Sequence, residues 1–289
     1  MKLNRETLVE IKGDASVRKF FRKTQKLESS ILIYSKKEKE KNLLIYDAIN
    51  KILLKNKINA PRLINEFYDK NFIEVQDLGK ITILNLIQRE KNKFLIYKKV
   101  IALLIKIQKI KEKKIRNFKK KNYNIPLYSN QLLFKESKLF CDWYIPEKIK
   151  KNKVNIKKKV ENEIKYLLKN LKLKNNIFVH RDFHLSNLMI NKKGISVIDS
   201  QDAAIGNQAY DLASVIDDVR YKTSNALKKN IYNCYIKKNS NKFKIEDFKN
   251  DFEILSVLRN LKIIGIFTRL AKQDKKNKYL KLIPYAWKL

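Results

Sequence analysis

The chain of 289 residues carries 66 lysine and arginine residues against 29 aspartate and glutamate residues, a formal net charge of +37. At roughly 100–200 residues per domain, this length fits one large domain or two lobes. A hydrophobic content of 44% excludes wholesale disorder, and five glycines with four prolines exclude collagen-like or proline-rich architectures. Two cysteines, Cys141 and Cys234, provide no disulfide framework, which indicates a reducing compartment.

The positive charge follows the composition of the chain rather than a binding function. There are 56 lysines, 30 asparagines and 37 isoleucines, all residues with A/T-rich codons, but only 10 arginines. Specific phosphate contacts favour the arginine fork, so we do not expect nucleic acid as a partner despite the net charge. Attraction of a small anionic substrate is compatible with this composition.

The sequence shows no membrane-directed segment. No apolar run approaches the ~18–20 residues that a membrane helix needs, and the N-terminal residues 1–6 lack a signal-peptide apolar region. We expect a cytoplasmic protein without a membrane partner, acting as a monomer.

The first third of the chain has the pattern of a sheet with one helix. Residues 13–16 indicate a turn. Runs rich in aromatic and β-branched residues predict strands over 17–22, 29–34 and 72–76. Apolar residues at helical spacing predict a helix over 43–54.

The pattern becomes helical near residues 78–82. Helices are predicted over 92–110, 154–171 and much of 210–289. The basic segment 111–130 is predicted to be a loop, and short strands are expected at 176–180, 188–190 and 196–198. The spacing of Ile254, Leu258, Leu261 and Gly265 places these four residues on one helix face.

The stretch from residue 177 to 202 carries the chemistry. Asp182 ends an apolar strand, Asn187 follows five residues later, and Asp199 follows twelve residues after that, at the end of another strand. Phosphoryl transfer needs a carboxylate that orients a hydroxyl and accepts its proton, and oxygen ligands that hold Mg²⁺ against phosphates. The sequence therefore predicts a phosphotransferase site built on Asp182, Asn187 and Asp199.

The motif His180-x-Asp182-x4-Asn187, followed by Ile198-Asp199, resembles the kinase-like phosphotransferases. The second histidine, His184, is similar to the aminoglycoside phosphotransferase/choline kinase branch. Flanking segments 13–22, 139–144 and 260–270 resemble the bacterial kinases that phosphorylate N-acetylmuramate and N-acetylglucosamine at C1.

The resemblance covers nearly the whole chain and implies an α+β, two-lobed protein-kinase-like fold. A small N-lobe of antiparallel sheet is expected over 1–78 for nucleotide binding. A mostly helical C-lobe is expected over 79–289 for catalysis and substrate binding, with the active site between the lobes.

The resemblance also implies roles for single residues. Asp182 is the expected catalytic base, Asn187 and Asp199 the Mg²⁺ ligands, and His180 and Asp211 the structural support of the catalytic loop. ATP phosphates are expected at the turn Asp14, Ala15 and Ser16, and adenine at the segment containing Glu74, Gln76 and Leu78. Substrate contacts are expected from Arg181, His184, Asp202, Trp143 and Tyr144.

The sequence departs from the family pattern at three points. Ser200 follows Asp199 where the subgroup usually has phenylalanine, and Gln76 stands where an acidic residue is common. The predicted strand 29–34, which corresponds to the third strand of the family, contains no lysine for the nucleotide phosphates, and Lys36 or Lys37, just past Tyr34, is the nearest candidate.

The same residues fit other interpretations. His180 and His184 have the i, i+4 spacing of zinc ligands, but Arg181 stands where a zinc peptidase has glutamate. Asp182 and Asp211 are also residue types that cap helices. Trp143 and Tyr144 fit a hydrophobic core as well as a sugar-stacking surface.

The sequence thus predicts an ATP- and Mg²⁺-dependent kinase for the anomeric hydroxyl of N-acetylmuramate or N-acetylglucosamine in cell-wall recycling. The alternatives are a kinase for choline, homoserine or an aminoglycoside, and a kinase-like pseudoenzyme with a basic binding surface. A cationic acceptor needs an acidic pocket, for which Glu136, Asp142 and Asp202 are the candidates.

Overall fold

The computed structural model describes residues 7–11, 18–25, 28–35 and 42–289. Its strands are β1 (Thr7–Ile11), β2 (Lys19–Gln25), β3 (Glu28–Tyr34), β4 (Leu63–Phe67), β5 (Phe72–Gln76), β6 (Lys114–Arg116), β7 (Asn122–Asn124), β8 (Ile177–Val179), β9 (Leu188–Asn191), β10 (Gly194–Val197) and β11 (Ala204–Gly206). Its helices are α1 (Asn42–Lys55), α2 (Ile83–Arg89), α3 (Lys93–Ile107), α4 (Asn130–Ser137), α5 (Ile145–Lys148), α6 (Lys153–Lys169), α7 (Tyr210–Ile216), α8 (Asn225–Asn239), α9 (Ile245–Gln273) and α10 (Ile283–Lys288).

The chain divides into two compact units. The first unit consists of the residues up to 91, together with 105–125 and 185–203. The second unit consists of 92–104, 126–184 and 204–289. The division into lobes at 78/79 stays a prediction.

The first unit contains a five-stranded antiparallel sheet in the order β1-β2-β3-β5-β4. Helix α1 is buried around most of its circumference, as expected of a helix that is apolar on several faces. Its residues Leu43 and Tyr46 join Ile33 of β3 and Ile73 and Val75 of β5 in one core cluster. This packing fixes α1 against the middle of the sheet.

The hairpin of β9 and β10 belongs to the same unit. Leu188 pairs with Val197 and Asn191 with Gly194, so the residues just before β9 and just after β10 lie at the same open end. The hairpin is tied to the rest of the unit by backbone hydrogen bonds from Ile190 N to Ile81 O (3.0 Å) and from Val197 N to Asn59 O (2.8 Å).

The second unit is mostly helical and is organised around α9, which has 29 residues. This helix packs against α4, α7, α10 and the π-helical turn Phe140–Tyr144. A Cβ on Gly265 would lie 2.3 Å from the backbone carbonyl carbon of Leu139, so only glycine permits this close crossing. The short strands β8 and β11 pair antiparallel in this unit.

The structure confirms the predicted strand at 72–76 and the predicted helices at 43–54, 92–110 and 154–171, with ends shifted by a few residues. The prediction of a loop over 111–130 was wrong for part of that segment, because β6 and β7 form a hairpin there. Strands of three residues are too short to show an alternating pattern, and their pairing depends on the cross-strand partners Ile115 and Tyr123.

Across the described part of the chain, no helix has both the length and the apolar character required to cross a bilayer.

Candidate active site

The loop that follows β8 carries the predicted catalytic aspartate in the second unit. Its backbone is held by Asp211 at the start of α7, whose carboxylate accepts hydrogen bonds from the backbone N–H of His180 (2.6 Å) and of Arg181 (3.0 Å). Arg181 has a φ of 69°, in the left-handed region that non-glycine residues rarely adopt. The two hydrogen bonds stabilise this turn, which brings Asp182 into a fixed position after the strand.

Asp182 is surrounded by basic residues. Burial by itself would raise the pKa of its carboxyl group, but the charges of His184 and Lys262, with smaller contributions from His180 and Arg220, lower the pKa to about 2. Asp182 is therefore a carboxylate throughout the neutral pH range and acts as a hydrogen-bond acceptor.

Lys262 is a residue of this site to which the sequence analysis assigned no role. Its ammonium group lies 2.9 Å from Oε2 of Glu136, and the other carboxylate oxygen of Glu136, Oε1, accepts a hydrogen bond from Arg181. Burial lowers the pKa of Lys262, but the neighbouring Tyr210, Glu136 and Asp182 outweigh burial and raise it above the ordinary value. Lys262 lies on α9 among apolar and basic residues, and no local pattern in the sequence distinguishes it.

The Arg181 side chain points to α4 rather than to an open surface. Its guanidinium group stacks over the ring of Tyr128, 4.4 Å from the centroid, and pairs with Glu136. Glu136 also accepts a hydrogen bond from the Tyr128 hydroxyl. Arg181 was predicted to contact the substrate. In the structure its side chain is part of a buried charge network.

The two histidines of the motif are buried. The ring of His180 packs edge-on against Phe183, and among the described residues its nitrogens have no hydrogen-bond partner. The backbone N–H of His184 donates to the carbonyl oxygen of Asp182 (3.0 Å), which tightens the loop. Burial and the nearby charge of Arg220 lower the pKa of His184 to about 4, so its ring is neutral at pH 7.

The predicted metal ligands lie together in the first unit. Asn187 immediately precedes β9, Asp199 comes two residues after β10, and the backbone N–H of Ile198 donates to the carbonyl oxygen of Asn187 (3.0 Å). Asp199 has a left-handed φ of 61°. Carboxylate and amide oxygens on adjacent ends of one hairpin match the hard oxygen ligands that Mg²⁺ prefers, so this donor set fits the predicted ion.

Two contacts around Asp199 were not predicted. The guanidinium Nη2 of Arg18 lies 2.6 Å from Oδ1 of Asp199. The hydroxyl of the buried Ser200 donates to Oδ1 of Asn50 on α1 (2.7 Å). This contact links the segment with the predicted metal ligand Asp199 to α1 by polar side chains.

The predicted adenine segment lies in and after β5. The Glu74 carboxylate accepts hydrogen bonds from Ser30 (2.5 Å) and Asn65 (2.9 Å), so its side chain binds within the sheet. The backbone N–H of Gln76 donates to the carbonyl oxygen of Arg62 (2.8 Å). The carbonyl oxygen of Leu78 accepts a hydrogen bond from the side chain of Asn191 (3.2 Å).

Of the remaining predicted residues, the structure describes Asp202 and leaves out those expected at the ATP phosphates. Asp14, Ala15 and Ser16 lie outside the described residues, as do Lys36 and Lys37. The Asp202 carboxylate accepts a hydrogen bond from the side-chain amide of Gln201 (3.1 Å).

The aromatic pair of the predicted substrate set lies in the π-helical turn of the second unit. Trp143 and Tyr144 are half-buried there. The ring of Tyr144 stacks on Phe140 with centroids 5.1 Å apart, and its hydroxyl accepts a hydrogen bond from Trp287 (3.0 Å). Tyr144 is thus part of an aromatic cluster within this unit.

A model of the phosphotransferase enzyme family matches residues 7–233, which is more than half of the chain. The chain belongs to the phosphotransferase enzyme family. Among curated proteins, it is 26% identical to an N-acetylmuramate/N-acetylglucosamine kinase of Neisseria meningitidis, over 94% of this chain and 81% of the relative. It is likewise 26% identical to a protein of the same name from Pseudomonas aeruginosa, over 96% of this chain and 80% of the relative.

Solved structures share the fold of this phosphotransferase at low sequence identity. Choline kinase LicA from Streptococcus pneumoniae has a TM-score of 0.67 at 12% identity, covering 98% of this chain and 94% of that one. An ethanolamine kinase from Plasmodium vivax has a TM-score of 0.67 at 14% identity, covering 98% of this chain and 81% of that one. The predicted family and the predicted kinase-like α+β fold are confirmed.

Proposed function

We propose that this phosphotransferase is an ATP-dependent kinase that phosphorylates the anomeric hydroxyl of N-acetylmuramate or N-acetylglucosamine in cell-wall recycling. The observation that carries the proposal is the 26% identity to N-acetylmuramate/N-acetylglucosamine kinases over more than nine tenths of the chain. The geometry of the Asp182 loop supports the same chemistry. We infer that the protein acts as a cytoplasmic monomer.

In the proposed mechanism, Asp182 orients the acceptor. A carboxylate with a pKa of about 2 accepts a strong hydrogen bond from the sugar hydroxyl and directs its oxygen toward the phosphoryl group. Because so acidic a group is a weak base, it takes the proton only as the bond to phosphorus forms. Positioning of Asp182 by the loop that Asp211 holds therefore contributes more to catalysis than the basicity of Asp182 does.

Asn187 and Asp199 would hold Mg²⁺, which supplies positive charge to the phosphates of bound ATP. Both residues have oxygen donors, and the pairing of β9 with β10 keeps them at one end of the hairpin. The segment from Glu74 to Leu78 would bind adenine. The nucleotide is thus proposed to be held by elements of the first unit.

The charge pairing in the second unit favours a neutral or anionic acceptor. Glu136 is paired with Arg181 and Lys262, and Asp142 is paired with Lys138 (3.0 Å) and Lys157 (2.5 Å). Two of the three candidate carboxylates for an acidic pocket, Glu136 and Asp142, are thereby neutralised and offer little attraction to a cation such as choline. N-acetylglucosamine is neutral and N-acetylmuramate is an acid, so both fit this charge distribution.

The test is a coupled assay with ATP and Mg²⁺ across N-acetylmuramate, N-acetylglucosamine, choline, homoserine and an aminoglycoside, with the Asp182→Asn variant as control. We expect turnover of the two amino sugars, a product with phosphate on C1 by ³¹P NMR, and about a thousandfold lower kcat in the variant. Turnover of another alcohol alone would refute the sugar assignment. Nucleotide binding without any turnover would favour a pseudoenzyme.

A further inference from the structure

The nucleotide phosphates need a cation from the first unit to bind them. Phosphoryl transfer needs positive charge at the phosphates in addition to Mg²⁺, and in protein kinases a lysine of the third strand provides it. Strand β3 has the sequence ESSILIY and contains no lysine. On β2, Lys23 lies 3.9 Å from the Glu74 carboxylate.

Arg18, the residue before β2, is the cation beside the predicted metal ligand. It is only 6% exposed, and its guanidinium group lies 2.6 Å from Oδ1 of Asp199. Burial of a guanidinium group is costly unless an acidic partner compensates its charge. The ion pair with Asp199 therefore stabilises Arg18 in its buried position.

Two aromatic rings fix the direction of the Arg18 side chain. Its guanidinium carbon lies 5.5 Å from the ring centroid of Phe20 and 5.6 Å from that of Tyr46. Burial raises the pKa of Tyr46 to about 12 although Arg18 acts in the opposite direction, so this ring is neutral and presents its π-face. The cation is thus held by two aromatic contacts together with a carboxylate.

This arrangement creates a competition at Asp199. A Mg²⁺ ion and a guanidinium group at the same carboxylate repel each other, unless further negative charge compensates both. Nucleotide phosphates supply that charge, and the arginine fork matches phosphate oxygens in bidentate geometry.

Resting on the proposed function, we propose that Arg18 is the phosphate-binding cation of this kinase. In the nucleotide-free protein Arg18 neutralises Asp199, and in the loaded protein it pairs with the nucleotide phosphates. Arg18 thereby fills the role for which the sequence offered only Lys36 and Lys37. Removal of the arginine should therefore strengthen binding of the metal alone and weaken binding of the nucleotide.

The test compares Arg18→Gln with Lys19→Gln, which removes the same charge from the next, exposed residue. Binding of Mn²⁺ alone is measured by electron paramagnetic resonance, and binding of ADP in the presence of Mg²⁺ by calorimetry. We expect Arg18→Gln to weaken ADP binding at least tenfold, as for a lost charge-assisted contact, and to strengthen Mn²⁺ binding at least threefold. Lys19→Gln should change neither by more than about twofold.

Unchanged ADP affinity in Arg18→Gln would overturn the proposal, as would a parallel weakening of both ligands, which would show a structural role only. Failure of the proposed function is distinguishable, because it is measured as turnover by the unaltered protein, whereas the Arg18 comparison is measured as binding of ADP and Mn²⁺. Absence of ADP binding by the unaltered protein would overturn both. If Arg18→Gln does not fold, Arg18→Lys keeps the charge without the fork and should bind ADP more weakly than the unaltered protein. In the unaltered protein, the side-chain NMR signal of Arg18 should also shift when Mg²⁺ and ADP are added, and its invariance would contradict the proposal.

Discussion

The loop around Asp182 and the hairpin end around Asp199 hold their carboxylates by different means. Asp182 is surrounded by Lys262 and the motif histidines, and its backbone is locked by Asp211. Asp199 is paired with the guanidinium group of Arg18. The first arrangement suits a group whose charge and direction stay constant, and the second suits a group that exchanges partners. Three measurements examine this contrast.

Replacing Asp211 by asparagine should have the largest effect, on catalysis. An amide accepts only through its oxygen, so one of the two backbone N–H groups of His180 and Arg181 would lose its acceptor. A displacement of Asp182 by about 1 Å lowers kcat about 100-fold, while KM for ATP should stay within about twofold. Steady-state kinetics measure both parameters.

The control for that change is Asp274→Asn, the same substitution at an exposed position directly after α9. It should leave kcat and KM unaltered. If Asp211→Asn turned over at the rate of the unaltered protein, the loop would not depend on its carboxylate, and the contrast with Asp199 would fail.

His184 should make stability depend on pH. Its pKa is about 4 in the folded chain against 6.5 for an exposed histidine, so between these values the unfolded chain binds a proton that the folded chain does not. Stability therefore falls as the pH is lowered from 7 to 5, by on the order of 2 kcal/mol. Urea unfolding at both pH values should show this loss, and His184→Asn should remove it.

The comparison of the unaltered protein with His184→Asn isolates the titration of His184, because the other of the chain's two histidines, His180, is present in both proteins. Carboxyl groups with lowered pKa values, such as Asp182, do not titrate between pH 5 and 7. Equal pH dependence in the two proteins would show that His184 does not stay neutral on folding.

The Ser200–Asn50 contact should give the smallest effect. Its removal in Ser200→Ala leaves the buried Oδ1 of Asn50 without this donor, and a loss of about 1 kcal/mol is expected. A double-mutant cycle with Asn50→Ala isolates the hydrogen bond, with a coupling of similar size. Additive effects of the two substitutions would mean that the hydroxyl contributes nothing to holding the Asp199 segment on α1.

Much of the site was predictable because its residues are close in sequence. The strand, the loop from His180 to His184 and the hairpin that separates Asn187 from Asp199 are continuous, and their spacing follows from strand length and turn geometry. The helical spacing over α1 and the strand pattern over β5 are also properties of short sequence segments, so both elements were predicted. The hairpin of β6 and β7 was missed because three-residue strands carry too little periodic signal.

The sequence alone determined the family, the kinase-like fold and the three candidate groups for phosphoryl transfer. Only the tertiary structure decided what surrounds them. Arg18 and Asp199 are 181 residues apart, and Lys262 contacts Glu136 from a different helix. Neither ion pair can therefore be predicted from a local sequence pattern. The physical reason is that charge pairing depends on distance in space, whereas a motif records only distance along the chain.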